Sequence, residues 1–92
     1  MSAVFTEEHI DIQELIDSSL GSKLIVHNDD VNTFDWVIES LVEICNHTWE
    51  QAEQCAYIVH YTGKCSVRHG EPEILLPMRR ALVDRGINAT ME

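Results

Sequence analysis

Basic residues are scarce in this chain: six Lys and Arg stand against sixteen Asp and Glu, a formal net charge of −10. A phosphate-backbone partner needs clustered Lys and Arg, so nucleic acid is excluded as a ligand. The acidity suits ligands or partners that carry positive charge. Long apolar runs are missing as well. None approaches the roughly 18–20 residues that a bilayer span requires, and Met1-Ser2-Ala3-Val4 lacks the basic start and apolar stretch of a secretory leader. A cytoplasmic protein with no membrane partner is expected. Cysteine is sparse: Cys45, Cys55 and Cys65 are an odd number and form no C-x-x-C pair. They read as small apolar side chains in a reducing compartment, not as disulfides or metal ligands.

What is present fits one small domain. Ninety-two residues with 45% apolar content suit a globular fold, but such a chain buries only about 60–65% of its unfolded surface. The core is therefore thin and leaves little room for a deep enzyme cleft. Residues 1–22 carry Glu7, Glu8, Asp11, Glu14 and Asp17 with no Lys or Arg. They read as an acidic, loosely ordered extension or a partner-docking segment, ahead of a folded domain over 23–92.

The domain is organised around Leu24 to Val37, which opens as an apolar strand over 23–27 and breaks at Asn28-Asp29-Asp30. It then enters a helix capped by Thr33, with Asp35 in its first turn. Phe34, Val37, Ile38, Leu41 and Cys45 recur at spacings of three and four and mark one buried face. Thr48-Trp49-Glu50-Gln51 is a capping box for a second helix that buries Trp49, Ala52, Cys55, Ala56 and Val59 and closes at Gly63. Lys64–Arg68 reads as a strand, followed by a turn at His69-Gly70. Pro72 starts a third helix with Ile74, Leu75, Met78, Ala81 and Leu82 inward, and Pro77 should shorten its first turn or kink it. Ile87–Met91 makes the last strand. The order β-α-α-β-α-β predicts a small α/β (α+β) sandwich, a mostly antiparallel three-stranded sheet with three helices over one face.

Two segments stand out as chemistry: the Asn28-Asp29-Asp30 turn and Val59-His60-Tyr61-Thr62-Gly63-Lys64, where a helix carries a histidine near its apolar face. Taken alone, the turn is more often a helix cap than a ligand site, and His60 more often a satisfied, partly buried histidine. Taken together with Phe34-Asp35-Trp36-Val37-Ile38 and Ala52-Glu53-Gln54, their order and separation closely resemble the ClpS adaptor family over about three quarters of the chain. The resemblance implies a fold similar to the C-terminal domain of a ribosomal stalk protein. It also implies a non-enzymatic adaptor, without cofactor, that binds N-degron substrates beginning with Phe, Trp, Tyr or Leu. Such adaptors deliver those substrates to the N-terminal domain of a AAA+ Clp unfoldase, ClpA- or ClpC-like. By position, Asn28, Asp30 and His60 match residues that bind the substrate α-amino group, with Asp29 beside them. Phe34, Val37, Ala56, Val59 and Ile87 match the side-chain pocket, and Glu73 matches an unfoldase-docking residue. This chain departs from the family pattern at Asn32-Thr33-Phe34, where Thr-Pro-Met is common, and at Ala56, where a bulky gatekeeper is usual.

The chemistry suits those residues. An ammonium has three donors and no acceptor, so it requires converging acceptors: the Asn28 carboxamide oxygen, the Asp30 carboxylate and a neutral His60 nitrogen. Protonating His60 would set a cation beside a cation and weaken binding in acid. Rival readings fit less well. Asn28, Asp30, Asn32 and Glu39 fall at the first, third, fifth and twelfth positions of a calcium loop, but Thr33 replaces the turn glycine and a strand precedes. A zinc site lacks paired ligand spacing, and a hydrolase lacks a nucleophile and oxyanion hole. A ribosomal-stalk-like protein–protein interaction module remains the alternative. It would share the fold without needing both Asp30 and His60.

Overall fold

The structure, a computed structural model, describes residues 21–92. Six elements follow one another: β1 (Ser22–His27), α1 (Phe34–Cys45), α2 (Trp49–Thr62), β2 (Lys64–Gly70), α3 (Pro72–Asp84) and β3 (Ala89–Met91). The expected element order holds. The sheet is antiparallel with order β2-β1-β3. Of the expected acidic extension, residues 1–20 lie outside the described residues, and Ser22 already belongs to β1.

β1 is central, with a strand on each edge, and its apolar residues Leu24, Ile25 and Val26 are all buried. Leu24 and Val26 face the helices with Val67 and Ala89, and meet Ile38, Leu41, Ala52, Ala56, Val59, Leu75 and Leu82 in one core. Ile25 points the other way along the pleat, between Ser66 and Thr90, and is also buried. Between Leu24 and Ile25 the register slips by one residue, leaving Val67 as the extra residue of a bulge. Beside it the Arg68 Nη1 donates to the Cys45 carbonyl at 3.0 Å, placing a cation at the C-terminus of α1.

The caps are where the residue types put them. The Thr33 hydroxyl accepts from the Trp36 amide at 3.1 Å. Thr48 and Gln51 exchange both bonds of a capping box, at 3.1 and 3.0 Å. Gly63 closes α2 at φ 100°, a conformation in which a Cβ is strained.

Several expectations are corrected. Trp49 is 54% exposed: as the first residue of α2 it lies beyond the core, and the inward face begins at Ala52. Ile74 is 53% exposed, since Leu75, Met78 and Leu82 form the stripe that meets the sheet. β2 runs through His69 and Gly70, because Ser22 and Lys23 pair with them. Glu71 alone, as the extended N-cap of α3, links the two elements. Gly21 lies so close to this pairing that a Cβ there would strike the Gly70 carbonyl. α3 continues through Pro77. The carbonyl that Pro77 leaves without a helical partner is that of exposed Glu73, within reach of water. β3 starts at Ala89, two residues later than expected, with buried Ile87 ahead of it.

Candidate functional site

A cavity of about 340 Å³ opens between the β1–α1 loop, the start of α1 and the second half of α2. Asn28, Asp29, Asp30, Asn32, Thr33, Phe34, Val37, Ala56, Val59 and His60 line it. The loop is held where it leaves β1 by two successive backbone bonds. The His27 amide donates to the Asn88 carbonyl at 2.9 Å, and the Asn28 amide donates to the Gly63 carbonyl at 2.8 Å. The second bond joins the loop to the glycine cap of α2, which brings Asn28 and His60 to one mouth.

Asp29 serves the loop itself. Its Oδ1 accepts from the Val31 and Asn32 amides, both at 2.9 Å, and its Oδ2 accepts from the Asn32 carboxamide at 2.7 Å. The Asn32 amide foremost holds the Asp29 carboxyl below its ordinary value; burial, next in size, opposes it, and the Val31 amide and the Asn32 side chain add to the lowering. Its neighbours behave differently. The side chains of Asn28, Asp30 and His60 make no hydrogen bond among the described residues, and all three residues are exposed. Three sets of acceptors thus face the mouth without an internal partner, and no Lys or Arg lines the cavity.

The apolar wall is built from the ends of two helices. Ala56 and Val59 are buried at its floor, Val37 is half-buried, and Phe34 is 37% exposed at the rim. This explains why the apolar face of α1 is incompletely covered at its N-terminal end: Phe34 and Val37 face a cavity rather than the core. The Phe34 ring lies 4.9 Å from the His60 imidazole and 5.1 Å from Tyr57. Ile87 is 2% exposed inside the shared core and does not line the cavity. Glu73 is exposed in the first turn of α3 and is not among the lining residues.

Sequence reasoning missed Asn32 and Thr33 as lining residues, the ring cluster on α2, and the support behind the loop. The Asn32 Nδ2 also donates to the Gly86 carbonyl. Trp36 Nε1 donates to the Arg85 carbonyl at 3.0 Å, the Arg85 guanidinium lies 5.3 Å from the Trp36 ring, and Arg85 Nη2 pairs with Glu43. The Asx pattern from Asp29 to Asn32 was visible locally; the Arg85–Gly86 contacts, across some fifty residues, were not. The three thiols are free. The Cys65 Sγ donates to the Ser66 carbonyl at 3.5 Å; the mutual influence of Cys55 and Cys65 draws Cys55 down to about 7 and pushes Cys65 up, while burial pushes Cys45 up to about 11.

The comparisons with known proteins agree with this geometry. The family model described as ATP-dependent Clp protease adaptor protein ClpS matches residues 21–88. The chain is 36% identical over 62 residues to the ATP-dependent Clp protease adapter protein ClpS of Campylobacter jejuni, covering 67% of this chain and 65% of that one. It is 40% identical over 45 residues to the ClpS of Treponema denticola, covering 49% of this chain and 45% of that one. The chain therefore spans less than two thirds of the length of these curated relatives. The structure of Agrobacterium tumefaciens ClpS2 bound to L-phenylalaninamide superposes with a TM-score of 0.74 at 19% identity, over 77% of this chain and 93% of that one, and shows the same fold. With sheet order, pocket loop and family match in agreement, the chain belongs to the ClpS family of Clp protease adaptor proteins.

Proposed function

We propose that this protein is a cytoplasmic, non-catalytic adaptor that captures N-degron substrates and delivers them to a AAA+ Clp unfoldase. The observation that carries this reading is the pairing of free acceptors with an apolar hole. Asn28, Asp30 and His60 hold unpartnered acceptors at the mouth, directly above Phe34, Val37, Ala56 and Val59. An N-terminal residue matches both halves. Its ammonium donates three hydrogen bonds, two or more of them to the Asp30 carboxylate and neighbouring acceptors, and charge-assisted bonds are roughly twice as strong as neutral ones. Its bulky side chain enters endwise, and burying a Leu or Phe contributes about 1.5–3 kcal/mol. L-phenylalaninamide, found on the Agrobacterium relative, carries the same two features, a free amine and an aromatic side chain. Asp29 and Asn32 hold the loop in shape while Asn28, Asp30 and His60 take the amine. Glu73, exposed on α3, contributes to the unfoldase-docking surface. No bond is made or broken.

Fluorescence anisotropy with labelled peptides beginning Phe, Trp, Tyr, Leu, Ala and N-acetyl-Phe tests the reading. Binding of the bulky set, with Ala and the acetylated peptide silent, is expected. Asp30→Ala should weaken every binder alike, by about 1.5–3 kcal/mol for loss of a hydrogen bond to a charged group. Equal binding of the acetylated peptide would leave only a protein-docking module on this fold.

A further inference from the structure

Both tyrosines of the chain sit on one exposed stripe of α2, and neither lines the cavity. Tyr57 and Tyr61 are one turn apart, with rings nearly parallel at 7° and centroids 6.0 Å apart. They are 47% and 74% exposed. Neither phenol makes a hydrogen bond among the described residues. Each ring abuts a residue of the mouth: Tyr57 lies against Phe34, and Tyr61 lies 5.0 Å from His60 in an edge-on contact. The pocket wall thus continues outward as an aromatic face. Core packing does not account for it.

The surroundings are acidic. Glu53 is exposed one turn before Tyr57 on the same stripe, and Asp30 is exposed across the mouth. The nearest basic residue along the chain is Lys64, which opens β2 beyond the Gly63 cap. A peptide whose first residue fills the pocket holds its second Cα about 3.8 Å away and its third within about 7 Å. Those side chains must therefore lie on the rim.

We propose that Tyr57 and Tyr61 form a subsite for the second or third residue of the bound peptide, and that it takes a cationic, planar side chain, arginine above all. The inference rests on the N-degron reading of the pocket. A guanidinium stacks on aromatic faces, and the rings attract it through their electron-rich faces, while Glu53 and Asp30 supply opposite charge. A carboxylate at the same position meets only repulsion.

The test measures dissociation constants for peptides Phe-Arg, Phe-Lys, Phe-Ala and Phe-Glu, otherwise identical, on the full chain and on Y57A/Y61A and Y57F/Y61F. Exposed cation–π contacts correspond to about 2- to 5-fold in affinity. Phe-Arg should therefore bind the wild type about 2- to 5-fold tighter than Phe-Ala, and Phe-Glu should bind weakest. Y57A/Y61A should bring the Arg-to-Ala ratio to about one while leaving Phe-Ala within about twofold, and Y57F/Y61F, which keeps the rings, should restore it. The subsite is overturned if wild type binds Phe-Arg and Phe-Ala alike, or if the ratio survives removal of both rings. It is equally overturned if Lys matches Arg and about 0.5 M salt erases both preferences with the rings intact, since that is plain charge attraction. Failure of Phe-Ala itself to bind would strike the pocket reading rather than the subsite alone.

Discussion

The Asn32 side chain joins the pocket loop to the turn after α3: its Nδ2 donates to the Gly86 carbonyl at 2.9 Å while also bonding Asp29 Oδ2 at 2.7 Å. One carboxamide thus sets the distance between the loop and the segment that leads into β3. In the proposed function Asn32 touches no ligand atom and acts through Asp29.

Replacing it with alanine is expected to weaken binding of a Phe-initiated peptide by about 1–3 kcal/mol, the cost of leaving its partners without a bond. Anisotropy reads the affinity. Two-dimensional amide NMR should show shifts at Val31 and Gly86 without loss of the core resonances. Unchanged affinity would mean the loop keeps its shape without this brace.

Ala56 is buried at the cavity floor, so Ala56→Met adds volume to the hole and should alter the ranking of first residues. The widest side chain, Trp, loses most. Overfilling costs about 1–3 kcal/mol, so the Trp-to-Leu affinity ratio is expected to fall by about fivefold or more. Peptide titrations alongside thermal melts separate this from general destabilisation. An unaltered ranking would move the side-chain pocket elsewhere.

Acid should loosen the loop through Asp29. Its carboxyl is held below the ordinary value of 3.8, so the stabilisation is fully present above that value and is lost as pH falls through the lower folded value. The Val31 and Asn32 amide protons should therefore titrate with a midpoint below 3.8. In Asp29→Asn that transition should vanish. A midpoint above 3.8 in the wild type would contradict the bonding seen here.

Among the thiols, Cys55 should react first. Its sulfur is drawn down to about 7 by the Cys65 thiol, whereas Cys45 sits near 11 and Cys65 is raised. Mass spectrometry after brief iodoacetamide treatment near neutral pH should find label on Cys55 ahead of the other two, and Cys65→Ala should slow it. Faster labelling of Cys45 would overturn the assignment.

Local chemistry explains what could be read in advance. Thr33, the Thr48–Gln51 box and Gly63 declare helix ends because their partners lie within four residues, and the spacing of Ile38, Leu41 and Cys45 declares a face. That Asn28, Asp30 and His60 would share one cavity could be expected because a turn and a helix end carry them at a recognisable separation. Burial of Trp49 and Ile74 was misjudged, since periodicity says which residues share a face and not where the opposing layer stops. The bulge at Val67, the Trp36–Arg85 contact and the place of Ile87 behind the cavity arise only when distant segments meet. The difference between Asp29 and Asp30 is local by contrast. Both are acidic turn residues; the bonds of Asp29 to Val31 and Asn32 commit it to the loop, and the Asn32 contact to Gly86 ties that loop to the rest of the fold.

The clasp between Lys23 and Glu92, whose backbone groups exchange bonds of 2.8 and 2.9 Å, has a practical consequence for handling the protein. The chain enters the described domain at Gly21 and leaves it at Glu92, side by side at one end of β1. The mouth of the cavity is at the other end of that strand, roughly 20 Å away at about 3.3 Å per residue. A sensor surface or bead coupled after Glu92 would hold the molecule by its base and turn the mouth toward solution, ready for immobilised peptide-capture measurements.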